Sequence, residues 1–190
     1  MAVVTELELK TLYVEEGKTD KEIATIKGVD RTYISQLRKR WGIATRPTIA
    51  TKALSFVTNK LESMGFKVEN AKDKDKTSNY DLLLNGKIKV EVKSSASFKD
   101  GKVKFPLTNS PTKQLLDSNT QLKLPNGRYR KLFRNTCNYI VFVGYHDLDV
   151  SCWIMRSTTL TDINQGVTFP IDNSVKSKYK LCREDWNIIS

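Results

Sequence analysis

The stretch from Tyr80 to Lys93, Tyr-Asp-Leu-Leu-Leu-Asn-Gly-Lys-Ile-Lys-Val-Glu-Val-Lys, constrains the fold more than any other part of the chain. Asn85-Gly86 is the residue pair that most readily takes the left-handed conformations of a tight hairpin. The run after it alternates, with Ile88, Val90 and Val92 on one face and Lys87, Lys89, Glu91 and Lys93 on the other. That period of two marks a half-buried strand. Two antiparallel strands, Tyr80–Leu84 and Lys87–Lys93, are expected.

Around this hairpin the pattern is mixed. Leu54, Val57, Leu61 and Met64 recur at helical spacing until Gly65, and Phe66-Lys67-Val68 opens a strand. The polar run Asn70–Asn79 reads as a solvated loop. A strand pair around Asp100-Gly101, a helix over Pro111–Asp117, buried strands at Tyr139–Tyr145 and Ser151–Met155, and a short helix over Ser157–Asn164 follow. The tail reads as irregular. An α/β fold is expected for residues 47–190.

The first 46 residues differ in kind. Leu7, Leu9, Leu12, Tyr13 and Val14 supply a first helix that stops at Gly17. Thr19 with Glu22 has the spacing of a capping box and opens a second helix that ends at Gly28. Asp30 caps a third, with Tyr33 or Ile34, Leu37 and Trp41 facing inward. Residues 46–51 form a hinge, since Pro47 disfavours helix at Arg46.

Composition narrows the chemistry. The chain has 190 residues, 32 Lys plus Arg and 21 Asp plus Glu, a net charge of +11. An anionic partner is indicated, nucleic acid before membrane. Residues 1–46 hold nine basic and seven acidic side chains, so most of the surplus belongs to residues 47–190. His146 is the one histidine, and Cys137, Cys152 and Cys182 form no C-x-x-C pair. Sites built on several His ligands are excluded, and a disulfide framework is disfavoured, with a reducing cytoplasm as the default. Any metal must be held mainly by oxygen, which favours Mg²⁺. Apolar runs such as Tyr139–Val143 are far short of a membrane span, and the N-terminus has no signal-peptide pattern.

The segment Lys21–Leu37 resembles the helix-turn-helix family: small Ala24, Gly28 four residues on, then Val29, Ile34 and Leu37. Arg31, Arg38, Lys39, Arg40 and Arg46 are accompanied by no acid over residues 31–46, which suits phosphates beside a major groove. The resemblance places Arg31, Thr32, Tyr33, Ser35, Gln36, Lys39 and Arg40 as DNA contacts.

Asp81, Glu91 and Lys93 form a second constellation, two carboxylates to bind a divalent cation and a lysine to orient water or stabilise charge on a phosphate. Asp-x9-Glu-Val-Lys after an amphipathic helix ending Leu-Glu-Ser-Met-Gly-Phe resembles the PD-(D/E)XK nuclease superfamily, restriction-endonuclease-like in fold. The resemblance implies a mixed sheet flanked by helices and Mg²⁺-dependent phosphodiester hydrolysis, with Mn²⁺ substituting. It makes Asp81, Glu91 and the Val92 carbonyl the metal ligands and Lys93 the residue that positions the attacking water. Tyr80 stands where the family has Pro, no Glu occurs near Leu54 and Ser55, and Gln114 is a weak match to a downstream Gln. Parity matters as well. A two-residue turn at Asn85-Gly86 would point Asp81 away from Glu91. A three-residue loop, Leu84-Asn85-Gly86 with Gly86 left-handed, puts them on one face.

Arg128, Arg130 and Lys131 make a basic patch around Tyr129, with Arg128 and Arg130 as phosphate contacts or a solvated loop as the plain alternative. Lys99, Lys102 and Lys104 leave the same two readings open, and His146 reads as a turn histidine rather than a general acid. The expectation is a two-part endonuclease: a helix-turn-helix at 1–46, and a nuclease domain at 47–190 acting on duplex DNA, as a homodimer if both strands are cut. A sequence-specific enzyme of restriction or phage type fits best. A structure-selective nuclease such as a Holliday junction resolvase, or a non-catalytic DNA-binding regulator, are the rivals.

Overall fold

The computed structural model describes residues 4–109, 119–147, 149–172 and 174–190. The chain divides into two compact units, Met1–Pro47 and Thr48–Ser190. The helix expected at 111–117, and Gln114 with it, lie outside the described residues.

The first unit holds α1 (Glu6–Lys10), which runs on as a π-helical turn over Thr11–Glu15, then α2 (Asp20–Lys27) and α3 (Arg31–Arg40). Thr5 with Glu8 and Thr19 with Glu22 close capping boxes at the starts of α1 and α2. Gly28, at φ +64°, turns the chain into α3, whose first turn Asp30 caps. Leu9, Tyr13, Ile23, Ala24, Ile34, Leu37 and Ile43 form the core. Leu7 and Val14, expected inside, are exposed, because the stripe facing α2 and α3 runs through Leu9 and Tyr13 instead.

Arg38 ties this unit together. Its Nε and Nη2 donate to the two carboxylate oxygens of Asp20 at 2.6 and 2.7 Å, Nη1 reaches Thr45 Oγ1 at 3.2 Å, and the guanidinium lies 4.4 Å from the Tyr13 ring centre. Arg46 likewise donates to the carbonyls of Gly17 and Lys18. These two arginines, counted in the sequence among the phosphate-facing charges, are engaged within the unit, Arg38 in its interior and Arg46 on backbone carbonyls at its surface.

In the second unit Thr48 caps α4 (Ile49–Ser63), so the helix begins inside the expected hinge. The strands are β1 (Val68–Asn70), β2 (Leu82–Leu84), β3 (Ile88–Ser95), β4 (Phe98–Lys99), β5 (Lys102–Pro106), β6 (Thr108–Asn109), β7 (Gln121–Lys123), β8 (Tyr129–Lys131), β9 (Tyr139–His146), β10 (Asp149–Arg156) and β11 (Gly166–Pro170). Two four-residue helices, α5 (Ala71–Lys74) and α6 (Phe133–Thr136), interrupt them. A mixed sheet has the order β1-β2-β3-β9-β10, with β3 and β9 parallel and the other pairs antiparallel.

Both faces of that sheet are covered. Ala53, Val57 and Leu61 of α4 pack on Leu82, Leu84, Val90, Val141 and Ile154. On the other face a second sheet, β11-β5-β4, brings Val103, Phe105, Val167 and Phe169 onto Ile140, Phe142, Trp153 and Met155. Gly144 permits this approach, since a Cβ there would sit 3.0 Å from Trp153 and 3.1 Å from Val103. A third sheet has the order β6-β8-β7. Ser157–Thr159 is a single 3-10 turn rather than the longer helix expected, and the tail expected to be irregular contains β11, paired with the distant β5. Glu184 bonds Cys152 in both directions and closes the outer edge of β10.

Replacing Arg38 with Ala leaves the shielded Asp20 carboxylate without its partner, which is expected to cost the first unit about 3 kcal/mol. Urea unfolding followed by Trp41 fluorescence measures this, and R38K is expected to restore only part, because an ammonium cannot make the paired contact.

Candidate active site

Leu82 pairs with Val90 and Leu84 with Ile88, leaving Asn85, Gly86 and Lys87 in the connection. The loop is three residues long, one position later than expected, with Asn85 at φ +50° and Gly86 at φ +71°. An odd count keeps the parity that sets Asp81 on the side of Glu91. The Asp81 N–H donates to the Val90 carbonyl at 3.0 Å, and its Oδ2 accepts from the Val92 N–H at 2.8 Å.

Glu91 is almost fully buried. Lys93, two residues along β3, donates to its Oε1 at 2.9 Å, and Lys131, from β8, donates to its Oε2 at 2.6 Å. Both ammonium groups lie near the Phe133 ring, at 5.6 and 5.7 Å from its centre. Lys72 donates to Asp81 Oδ1 at 2.6 Å, and this contact raises the Lys72 ammonium above the ordinary lysine value. Ala50, Thr51 and Leu54 of α4 join Lys72, Asp81, Glu91, Val92 and Lys93 around a cavity of about 290 Å³. Among the described residues no third carboxylate, histidine or cysteine completes a cluster there.

The site therefore gathers Asp81, Glu91, Val92 and Lys93 from the sequence reading, and adds two lysines that reading did not place. Lys72 sits in the Asn70–Asn79 run, whose start folds as α5 rather than as the solvated loop expected. Its one signal is Ala71, a lone apolar residue that is buried and whose N–H donates to the Asp81 carbonyl. Lys131 belongs to the basic patch, but its ammonium is drawn to the buried Glu91, a partner forty residues away in the chain.

Arg130 is a correction. Its guanidinium is buried, donates to the carbonyls of Asn164 and Lys131, and lies 4.5 Å from the Phe133 ring centre. Burial pulls it down to about 10, and the guanidinium, enclosed and bound to these carbonyls, is out of reach of a phosphate. Arg128 is exposed, as are Arg31, Thr32, Tyr33, Gln36, Lys39 and Arg40, while Ser35 is half-buried. His146 is buried at the end of β9, 2.9 Å from Ser151 Oγ, and does not line the cavity. Ser95 donates to the Lys104 carbonyl and caps the strand end.

The sequence matches no protein-family profile and no curated protein. The fold is similar to solved structures, including the bacterial homing endonuclease I-Ssp6803I, at 15% identity and a TM-score of 0.56, over 74% of this chain and 90% of that one. At that identity the likeness is one of fold. No helix among the described residues is long and apolar enough to cross a membrane.

Beneath the site, burial pushes the Cys137 thiol up to about 12, and the Cys152 thiol is raised for the same reason. Cys182 is half-exposed. Iodoacetamide at mildly alkaline pH is expected to label Cys182 first in the native protein and the other two only on unfolding, as peptide mass spectrometry reads directly.

Proposed function

We propose that the chain is a Mg²⁺-dependent DNA endonuclease that hydrolyses phosphodiester bonds in duplex DNA. The observation that carries this reading is the convergence of Asp81, Glu91 and Lys93 on one cavity, from β3 and from the residue that leads into β2. The fold likeness to a homing endonuclease supports it.

The donor set suits a hard cation. Asp81, Glu91 and the Val92 carbonyl offer oxygen alone. Three of the four carboxylate oxygens already have an ammonium at 2.6–2.9 Å, so the cavity accommodates positive charge where a cation would sit. Bound there, Mg²⁺ supplies Lewis acidity and a more acidic water. Lys72 is the contact most easily released, being the most exposed of the three lysines and carried on a four-residue helix. Lys93 is positioned to hold the attacking water and to meet charge developing on the phosphate. Attack of the water in line with the bond from phosphorus to the 3′-oxygen, with that oxygen leaving and taking up a proton, would give the 5′-phosphate and 3′-hydroxyl that the resemblance to the nuclease superfamily implies.

In the first unit, α2 and α3 act as a helix-turn-helix. Arg31, Thr32, Tyr33, Gln36, Lys39 and Arg40 face the duplex, with Ser35 at the margin. Base readout by such a helix favours a sequence-specific enzyme over a structure-selective one, and cutting both strands calls for a homodimer.

D81N and K93M are each expected to lower Mg²⁺-dependent plasmid cleavage at least about 100-fold while leaving duplex binding in EDTA within a few-fold of wild type. Discrete fragments from plasmid support sequence specificity. Unaltered cleavage by both variants would refute the site.

A further inference from the structure

The sheet β11-β5-β4 has one face in the core and the other in solvent. Phe98, Val103, Phe105, Val167 and Phe169 point inward. Lys99, Lys102 and Lys104 are exposed on the opposite side. The register sets Lys99 directly across from Lys102, and Thr168 across from Lys104. None of the three lysines makes an ion pair among the described residues.

This arrangement works against the sheet. Like charges directly opposite one another destabilise a strand pair, and lysine is disfavoured in strands. Lysine on an edge strand prevents pairing with other chains, which accounts for Lys99 on β4. It does not account for Lys102 and Lys104, because β5 is the middle strand. An arriving polyanion removes the repulsion.

The face is also rigid and tied to the site. Asp100 and Gly101 turn the hairpin in two residues, both left-handed at φ +52° and +68°. Ser95, two residues beyond Lys93, donates to the Lys104 carbonyl at 2.6 Å, and Lys104 N–H donates to the Ser97 carbonyl at 2.9 Å. Lys102 and Lys104 are about 6.7 Å apart along the strand, comparable to successive phosphates on one DNA strand. Thr168, Gly166 and Pro106 complete the exposed surface and offer no large apolar side chain to enter a bilayer.

We propose that this face is a docking site for the phosphate backbone of duplex DNA, holding it by charge beside the strand that carries Glu91 and Lys93. The proposal rests on the endonuclease reading and adds a grip that is independent of base sequence. K102T/K104T and K99T/K102T/K104T remove the charge with a residue that strands favour, so the fold is retained or gains stability. Binding of the full chain to a fluorescent duplex is followed by anisotropy in EDTA over a range of NaCl. The slope of log K against log salt is expected to flatten by about 1.8 for the double variant and about 2.7 for the triple, at about 0.9 per lysine. K102R/K104R keeps the wild-type slope. An unchanged slope in the Thr variants, with an intact thermal melt, overturns the docking face and leaves the endonuclease reading standing. Failure of the wild type to bind any duplex overturns that reading itself. Lysine-dependent binding to phosphatidylserine vesicles with no effect on the DNA slope assigns the face to membranes and also overturns the proposal.

Discussion

An odd number of residues joins β2 to β3, and both the core and the site depend on that parity. With Asn85, Gly86 and Lys87 between the strands, Leu82 and Leu84 face α4 and are fully buried. Burial of each contributes about 2 kcal/mol. A slip of one residue would turn both leucines away from α4 and carry Asp81 away from Glu91. The apolar core thus enforces the geometry of the charged site, and Asn85-Gly86 supplies the left-handed backbone the connection needs.

Charge balance then shapes the site. Two acids and two lysines line one cavity, with Glu91 clamped between β3's own Lys93 and Lys131 from a different sheet. A buried carboxylate is tolerable only when paired, and two ammonium groups beside the Phe133 ring achieve this. The contacts are graded in exposure. Lys131 is the most shielded, Lys93 is intermediate and Lys72 lies mostly in water. Lys131 is therefore suited to fix the carboxylate, and Lys72 is the contact most easily released.

What could be read in the sequence was local. The Thr19–Glu22 capping box, the turn at Gly28, the alternation from Ile88 to Val90 and the spacing from Asp81 to Lys93 are set by neighbours in the chain, and each appears in the structure. What could not be read depends on distant partners. β11 exists because β5 pairs with it, and Lys131 reaches the site across forty residues. Arg130 and Arg38 look like surface charges until Asn164 and Asp20 are seen to hold them inside. A basic residue in a one-dimensional pattern is equally suited to a phosphate and to a buried partner, and only the fold separates the two.

The claim at the centre is that Asp81 and Glu91 together hold the catalytic cation. Anomalous diffraction from Mn²⁺ in crystals grown with a non-cleavable duplex tests it most directly. A peak about 2.1 Å from an oxygen of each carboxylate, with Lys72 displaced from Asp81, is the predicted result. A well-ordered complex with no peak between these two side chains, or with the ion bound at another cluster, would contradict it.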